Sequence, residues 1–193
     1  MSTIEIDVVQ GSLTSGDESV LINASNTGAR LGTGVSHAIR LGCGGEAYQD
    51  HIYRELKRVK GGDMVPGDLF TTDAGSHENA KFVVHVAVMD YRATSSYGDA
   101  APDEARIEKA CKLLWPEIES LESLDGESHS VAMVALGGGT GGMAIETTVG
   151  IACQTLKAHL GSRASKLSRV RFYAFKDDEF MRTERTVAEY FSL

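Results

Sequence analysis

Residues Gly137-Gly138-Gly139-Thr140-Gly141-Gly142 place five glycines in six positions, followed by Met143. Glycine lets the backbone approach a ligand closely and turns several N–H groups toward an anion. The run lies between an apolar strand pattern ending at Leu136 and a helical pattern beyond Met143. The helix start adds the positive end of its dipole. A diphosphate is the natural guest. A second run, Asn23-Ala24-Ser25-Asn26 followed by Gly32-Thr33-Gly34-Val35, also joins an apolar strand to a helix. It repeats the anion cradle and adds amide side chains, Asn23 and Asn26, that bond hydroxyls. Together the two runs suit a sugar diphosphate.

Other readings of the glycines fit less well. Gly137, Gly139 and Gly142 satisfy G-x-G-x-x-G. The acid expected about 20 residues on, at the end of the next strand, is missing. Met143 stands where a Walker lysine would follow. The three cysteines and six histidines show no metal-ligand spacing, so no metal and no cofactor is expected. His37 is expected on an exposed helix face.

The remaining pattern supplies the elements that position these loops. Strands are expected at 4–8, 19–23, 68–72, 82–88, 131–136 and 170–175. Helices are expected across 34–60 with a break at Gly42–Gly45, from about 102 with a kink at Pro116, from about 149, and near the carboxyl terminus. Residues 91–101 read as a loop, with Asp90, Tyr91 and Asp99 as its other candidate chemical groups. The alternation of strand and helix in the second half points to parallel neighbours. The extra strands of the first half make the sheet mixed. Ligands of such sheets bind beyond the carboxyl ends of the strands.

Apolar residues make up 42% and charged residues 24%, ordinary for one globular domain over 1–193. The formal charge of −8 and the scatter of Lys and Arg make nucleic acid an improbable partner. No apolar run approaches the ~18 residues of a membrane helix, and no leader pattern is seen. A cytoplasmic location without membrane contact is expected.

The two runs resemble the macrodomain family. Asn23-Ala24-Ser25-Asn26 and Gly32-Thr33-Gly34-Val35-Ser36-His37-Ala38-Ile39 are similar to the family's first loop, and Ala135 to Gly142 to its second. Ala80-Lys81-Phe82-Val83-Val84-His85 and Gly11-Ser12-Leu13-Thr14 match further family segments in the right order. The resemblance implies a three-layer α/β/α sandwich with a mixed central sheet, holding ADP-ribose or an ADP-ribosylated protein. It implies that 137–143 hold the diphosphate and distal ribose and that Asn26 contacts that ribose at the reacting centre. Ser12, Leu13 and Phe175 would flank the adenine, although a core role suits Phe175 equally well. Two positions depart from the family: Ser12 and Ser36 stand where it carries aspartates. The second aspartate helps activate water in hydrolytic members, and a serine hydroxyl is a poor base. A reader or weak hydrolase is therefore expected. An active mono-ADP-ribosyl or ADP-ribose-ester hydrolase and, in another class, an NAD-type oxidoreductase are the alternatives.

Overall fold

The computed structural model describes residues 4–92, 100–122, 128–162 and 164–191. The strands are β1 (Glu5–Gln10), β2 (Val20–Asn26), β3 (Leu69–Asp73), β4 (Phe82–Met89), β5 (His129–Val134) and β6 (Leu167–Ala174). A 3-10 turn, Leu13–Ser15, follows β1. The helices are α1 (Gly34–Gly42), α2 (Glu46–Lys60), α3 (Glu104–Ser120), α4 (Ile145–Ser162) and α5 (Asp177–Tyr190). The sheet runs β1-β6-β5-β2-β4-β3. All neighbours are parallel except β3, which pairs antiparallel with β4 at one edge.

Alternation along the strands sorts the core into two layers. Val20, Ile22, Val131, Met133, Val170 and Phe172 pack with Ile107 and Leu114 of α3, Val149 and Leu156 of α4, and Val187 of α5. Leu21, Val83, Ala87 and Ala132 point the other way, onto Ile39 of α1 and Ile52 and Leu56 of α2. Helices thus cover both faces, giving the expected α/β/α sandwich. β4, expected central in the sheet from its unbroken apolar run, lies one strand in from the edge, between β2 and β3, and is buried at every position after Phe82.

Several boundaries move. β2 continues to Asn26 rather than stopping at Asn23, because β4 runs alongside it. The register shifts between Ser25 and Asn26, so two residues of β4, Val88 and Met89, oppose one of β2. Such bulges re-aim side chains beside sites. α3 runs through Pro116 without interruption. Its start is fixed by Asp103, whose carboxylate accepts from the N–H of Arg106 at 2.8 Å. α4 begins at Ile145, directly beyond the glycine-rich loop and ahead of the apolar positions from Val149 that mark it. His37 is only half exposed, its Nδ1 lying 3.1 Å from Arg40 Nη2.

Candidate functional site

Five strands are mutually parallel, so their carboxyl ends share one edge of the sheet. A cavity of about 1060 Å³ opens there. Its wall takes residues at or just past every one of those ends: Gly11 after β1, Asn26 and Thr27 at β2, Met89 and Tyr91 at β4, Ala135 after β5, and Ala174 and Phe175 at β6. This is the crevice that parallel α/β topology creates. Its size is at the upper end of ordinary small-molecule sites.

The two glycine-rich loops both reach it, through some residues and not others. Gly137, Gly139, Thr140 and Gly141 line the cavity; Gly138, Gly142 and Met143, expected there, do not. The backbone explains the division. The N–H groups of Gly138, Gly142 and Met143 are spent inside the loop, on Ala135 O, Gly139 O and Gly137 O at 3.0, 3.0 and 3.1 Å. Those of Gly139, Thr140 and Gly141 make no hydrogen bond among the described residues. Three free donors thus belong to residues of the cavity wall, an arrangement of the kind that suits an anion. The turn needs glycine for steric reasons at Gly141, where a Cβ would sit 2.5 Å from Gly137 O. At Gly139 a Cβ would meet nothing within 4 Å.

Gly32, Thr33, Gly34 and Val35 line the cavity as expected. Thr33 is the N-cap of α1, and its side chain makes no cap bond. The first helical bond runs from His37 N–H to Thr33 O at 3.3 Å. The N–H groups of the first turn therefore remain open. Asn26 lines the cavity with its amide half committed: Nδ2 donates to Arg30 O at 2.8 Å, and Oδ1 accepts from Arg30 N–H at 3.2 Å. One amide N–H is left over.

Asn23, expected at the ligand, is fully buried and does not reach the cavity. Asn23 lies on the face of β2 that Leu21 turns toward α1, beneath Ser36, whose side chain stands between it and the cavity. Asn23 Oδ1 accepts from Ser36 Oγ at 2.8 Å. Ser36 is 5% exposed yet forms part of the wall. Ser25 Oγ, also in the wall, is buried with no partner.

Ser12 and Leu13 line the end of the cavity near β1. Ser12 Oγ caps the 3-10 turn, accepting from Thr14 N–H at 3.4 Å. Phe175 is 74% exposed and belongs to the wall. A core role is excluded, because β6 ends one residue earlier.

Tyr91, a candidate from the 91–101 loop, is in the wall, as are several residues without a motif signal: Arg30, Tyr53, Asp63, Arg92, Lys176 and Glu179. Arg30 alone had a clue, being a lone cation inside the first glycine-rich loop of an acidic chain. Lys176 pairs with Glu179 at 3.1 Å. Arg92 grips Asp90 through Nε and Nη2 at 2.8 and 2.9 Å. That pairing holds the Asp90 carboxyl well below the usual range, so it is a poor base. Asp99 lies outside the described residues. Asp63 Oδ1 and Asn26 Oδ1 both lie within 4 Å of the point where a Gly28 Cβ would stand. Burial pushes the thiols of Cys43, Cys111 and Cys153 up to about 12, which leaves them inert as nucleophiles. Among the described residues no three His, Cys, Asp or Glu converge as metal ligands, and no helix is long and apolar enough to cross a membrane.

A model of the Macro domain family matches residues 22–152, which include both loops and most of the sheet. The chain belongs to the macrodomain family. A curated relative from Cronobacter turicensis, O-acetyl-ADP-ribose deacetylase, is 27% identical over 186 residues, covering 96% of this chain and 97% of the relative. Among solved structures, the Oceanobacillus iheyensis macrodomain with ADP superposes with a TM-score of 0.75 at 18% identity, covering 95% of this chain and 90% of that one. The Trypanosoma brucei macrodomain in complex with ADP-ribose gives 0.74 at 19%, covering 95% and 69%. These structures share the fold.

Proposed function

We propose that this macrodomain binds ADP-ribose, free or attached to a protein, in the cavity at the carboxyl edge of its sheet. The observation that carries the reading is the set of unsatisfied N–H donors at Gly139, Thr140 and Gly141, opening into the same cavity as the uncapped start of α1. A diphosphate fills that need. The exposed ring of Phe175 offers a base a stacking face, and the spare N–H of Asn26 offers a ribose hydroxyl a donor. The solved relatives with ADP and ADP-ribose support the assignment. A crystal soaked with ADP-ribose tests it. Diphosphate on the N–H groups of 139–141 is expected; density for the ligand anywhere else contradicts it.

A second reading, hydrolysis of an ADP-ribose ester, is favoured by the name of the Cronobacter relative. The site argues for slow turnover. Ser36 turns its hydroxyl proton inward, and Asn26 has no basic group. A positioned general base is worth about 10²–10⁴-fold. Ser36→Asp is expected to raise O-acetyl-ADP-ribose turnover while ADP-ribose affinity stays within a few fold, the signature of an interaction made in the transition state. Brisk wild-type turnover that survives Asn26→Ala would place the chemistry on another residue, with Asp63 first in line.

A further inference from the structure

Behind Ser36 a row of buried polar groups crosses the layer between the sheet and α2. Ser36 Oγ lies 2.8 Å from Asn23 Oδ1, and Asn23 Nδ2 lies 3.0 Å from His85 Nδ1. His85 Nε2 lies 3.1 Å from Thr72 Oγ1, which lies 3.0 Å from Tyr48 Oη. Tyr48 Oη ends the row 3.1 Å from the carbonyl of Asp73. Each of these side chains is at most 5% exposed.

The carbonyl at the far end sets the direction of every proton, because it can only accept. Tyr48 gives its one hydroxyl proton to Asp73 O. Its oxygen must then receive from Thr72. The Thr72 oxygen must receive from His85 Nε2–H. His85 Nδ1 is left bare and accepts from the Asn23 amide N–H. Asn23 Oδ1 is then free to accept the proton of Ser36. The other acceptor within reach of Ser36, Ala24 O at 3.1 Å, also lies inward, on β2. Burial holds the imidazole neutral, with its titration pushed down to about 3. A charged ring, which donates from both nitrogens, does not break the row at neutral pH.

We propose that Ser36 presents the cavity with a lone pair only, and that Asn23, His85, Thr72 and Tyr48 are positioning residues that keep it so. Its partner in the cavity must donate: a free ligand hydroxyl or a water. A phosphate oxygen, which only accepts, is refused there. A row of aligned hydrogen bonds also polarises its members, which strengthens the last acceptor. The amide of Asn23 transmits that polarity but carries no proton onward, so Ser36 orients a donor without serving as a base. Resting on the ADP-ribose reading, the donor is a hydroxyl of the ribose beyond the diphosphate.

Two measurements test this, and the first needs no ligand. Nitrogen-15 NMR of the imidazoles is expected to show His85 protonated on Nε2 and bare on Nδ1. Ser36→Asp puts an acceptor where a donor stood, so the row must turn round: Asn23 flips, and the His85 proton moves to Nδ1. An Nδ1–H ring in the wild type, or an unchanged ring in Ser36→Asp, overturns the proposal even if ADP-ribose binds. In the second measurement, Ser36→Ala is expected to weaken ADP-ribose about fivefold, the size of one neutral hydrogen bond, and to leave ADP within twofold. Thr72→Val, remote from the cavity, should weaken ADP-ribose in the same sense, with Thr72→Ser restoring it. Equal losses for ADP and ADP-ribose overturn the assignment of the donor. Failure of the wild type to bind either nucleotide sinks the ADP-ribose reading and leaves the NMR result to judge the row.

Discussion

Glycines within a few residues of one another do different work in the second loop. Gly141 cannot carry a side chain, since its Cβ would collide with Gly137 O at 2.5 Å. Gly139 can, because the space above it is open and it is the space a ligand must enter. Gly139→Val is therefore expected to keep its melting temperature and lose at least tenfold in ADP-ribose affinity. Calorimetry beside thermal denaturation separates the two effects, and unchanged affinity in the folded variant sinks the diphosphate assignment. Which glycines face the cavity was not legible in the sequence, because a glycine run reads alike at each position. The hydrogen bonds inside the loop make the distinction. Asn23 and Asn26 show the same limit. Two similar amides three residues apart looked equivalent, but Asn23 is buried beneath Ser36 and Asn26, past the register shift at the end of β2, stands in the cavity wall.

Strands and helices followed their patterns more faithfully than their ends did. The unbroken apolar run of β4 fitted a strand covered on both faces, since burial on two faces dictates composition, whereas the alternation of β1 did not tell that it is an edge strand. The ends depend on neighbours. β2 is held as far as Asn26 by pairing with β4, and no local residue signals that. α4 and α5 are joined across their surface by Glu146. Arg182 meets its carboxylate through Nε at 2.7 Å and Nη2 at 2.5 Å, and Arg185 adds a longer contact at 3.4 Å. The Arg182 hydrogen bonds lower the Glu146 carboxyl from about 4.5 to about 2. A carboxyl depressed in the folded state stabilises above its unfolded value and loses that contribution as pH falls toward the folded one. Glu146→Gln should thus melt lower than wild type at neutral pH, by a small margin suited to an exposed pair. The two proteins should converge between pH 4.5 and pH 2. A gap that persists at pH 2 contradicts the ion-pair account.

On the scale of the whole molecule, an acidic protein is proposed to hold an anionic ligand. The net charge of −8 opposes approach. Short-range donors must therefore supply the binding: backbone N–H groups in two loops, with Arg30 among the wall residues. Parallel topology gathers those donors, because it brings five carboxyl strand ends and their loops to one edge. The layered architecture was readable from the strand–helix alternation, whereas the cavity's Tyr53, Asp63 and Lys176 come from segments without a motif and meet only in three dimensions. The most direct test of the central claim is an isothermal titration of the wild-type protein with ADP-ribose, ADP, AMP and NAD, in EDTA. The account predicts micromolar binding of ADP-ribose, weaker binding of ADP and little of AMP. Equal affinity for all four ligands, or a preference for NAD, would contradict it.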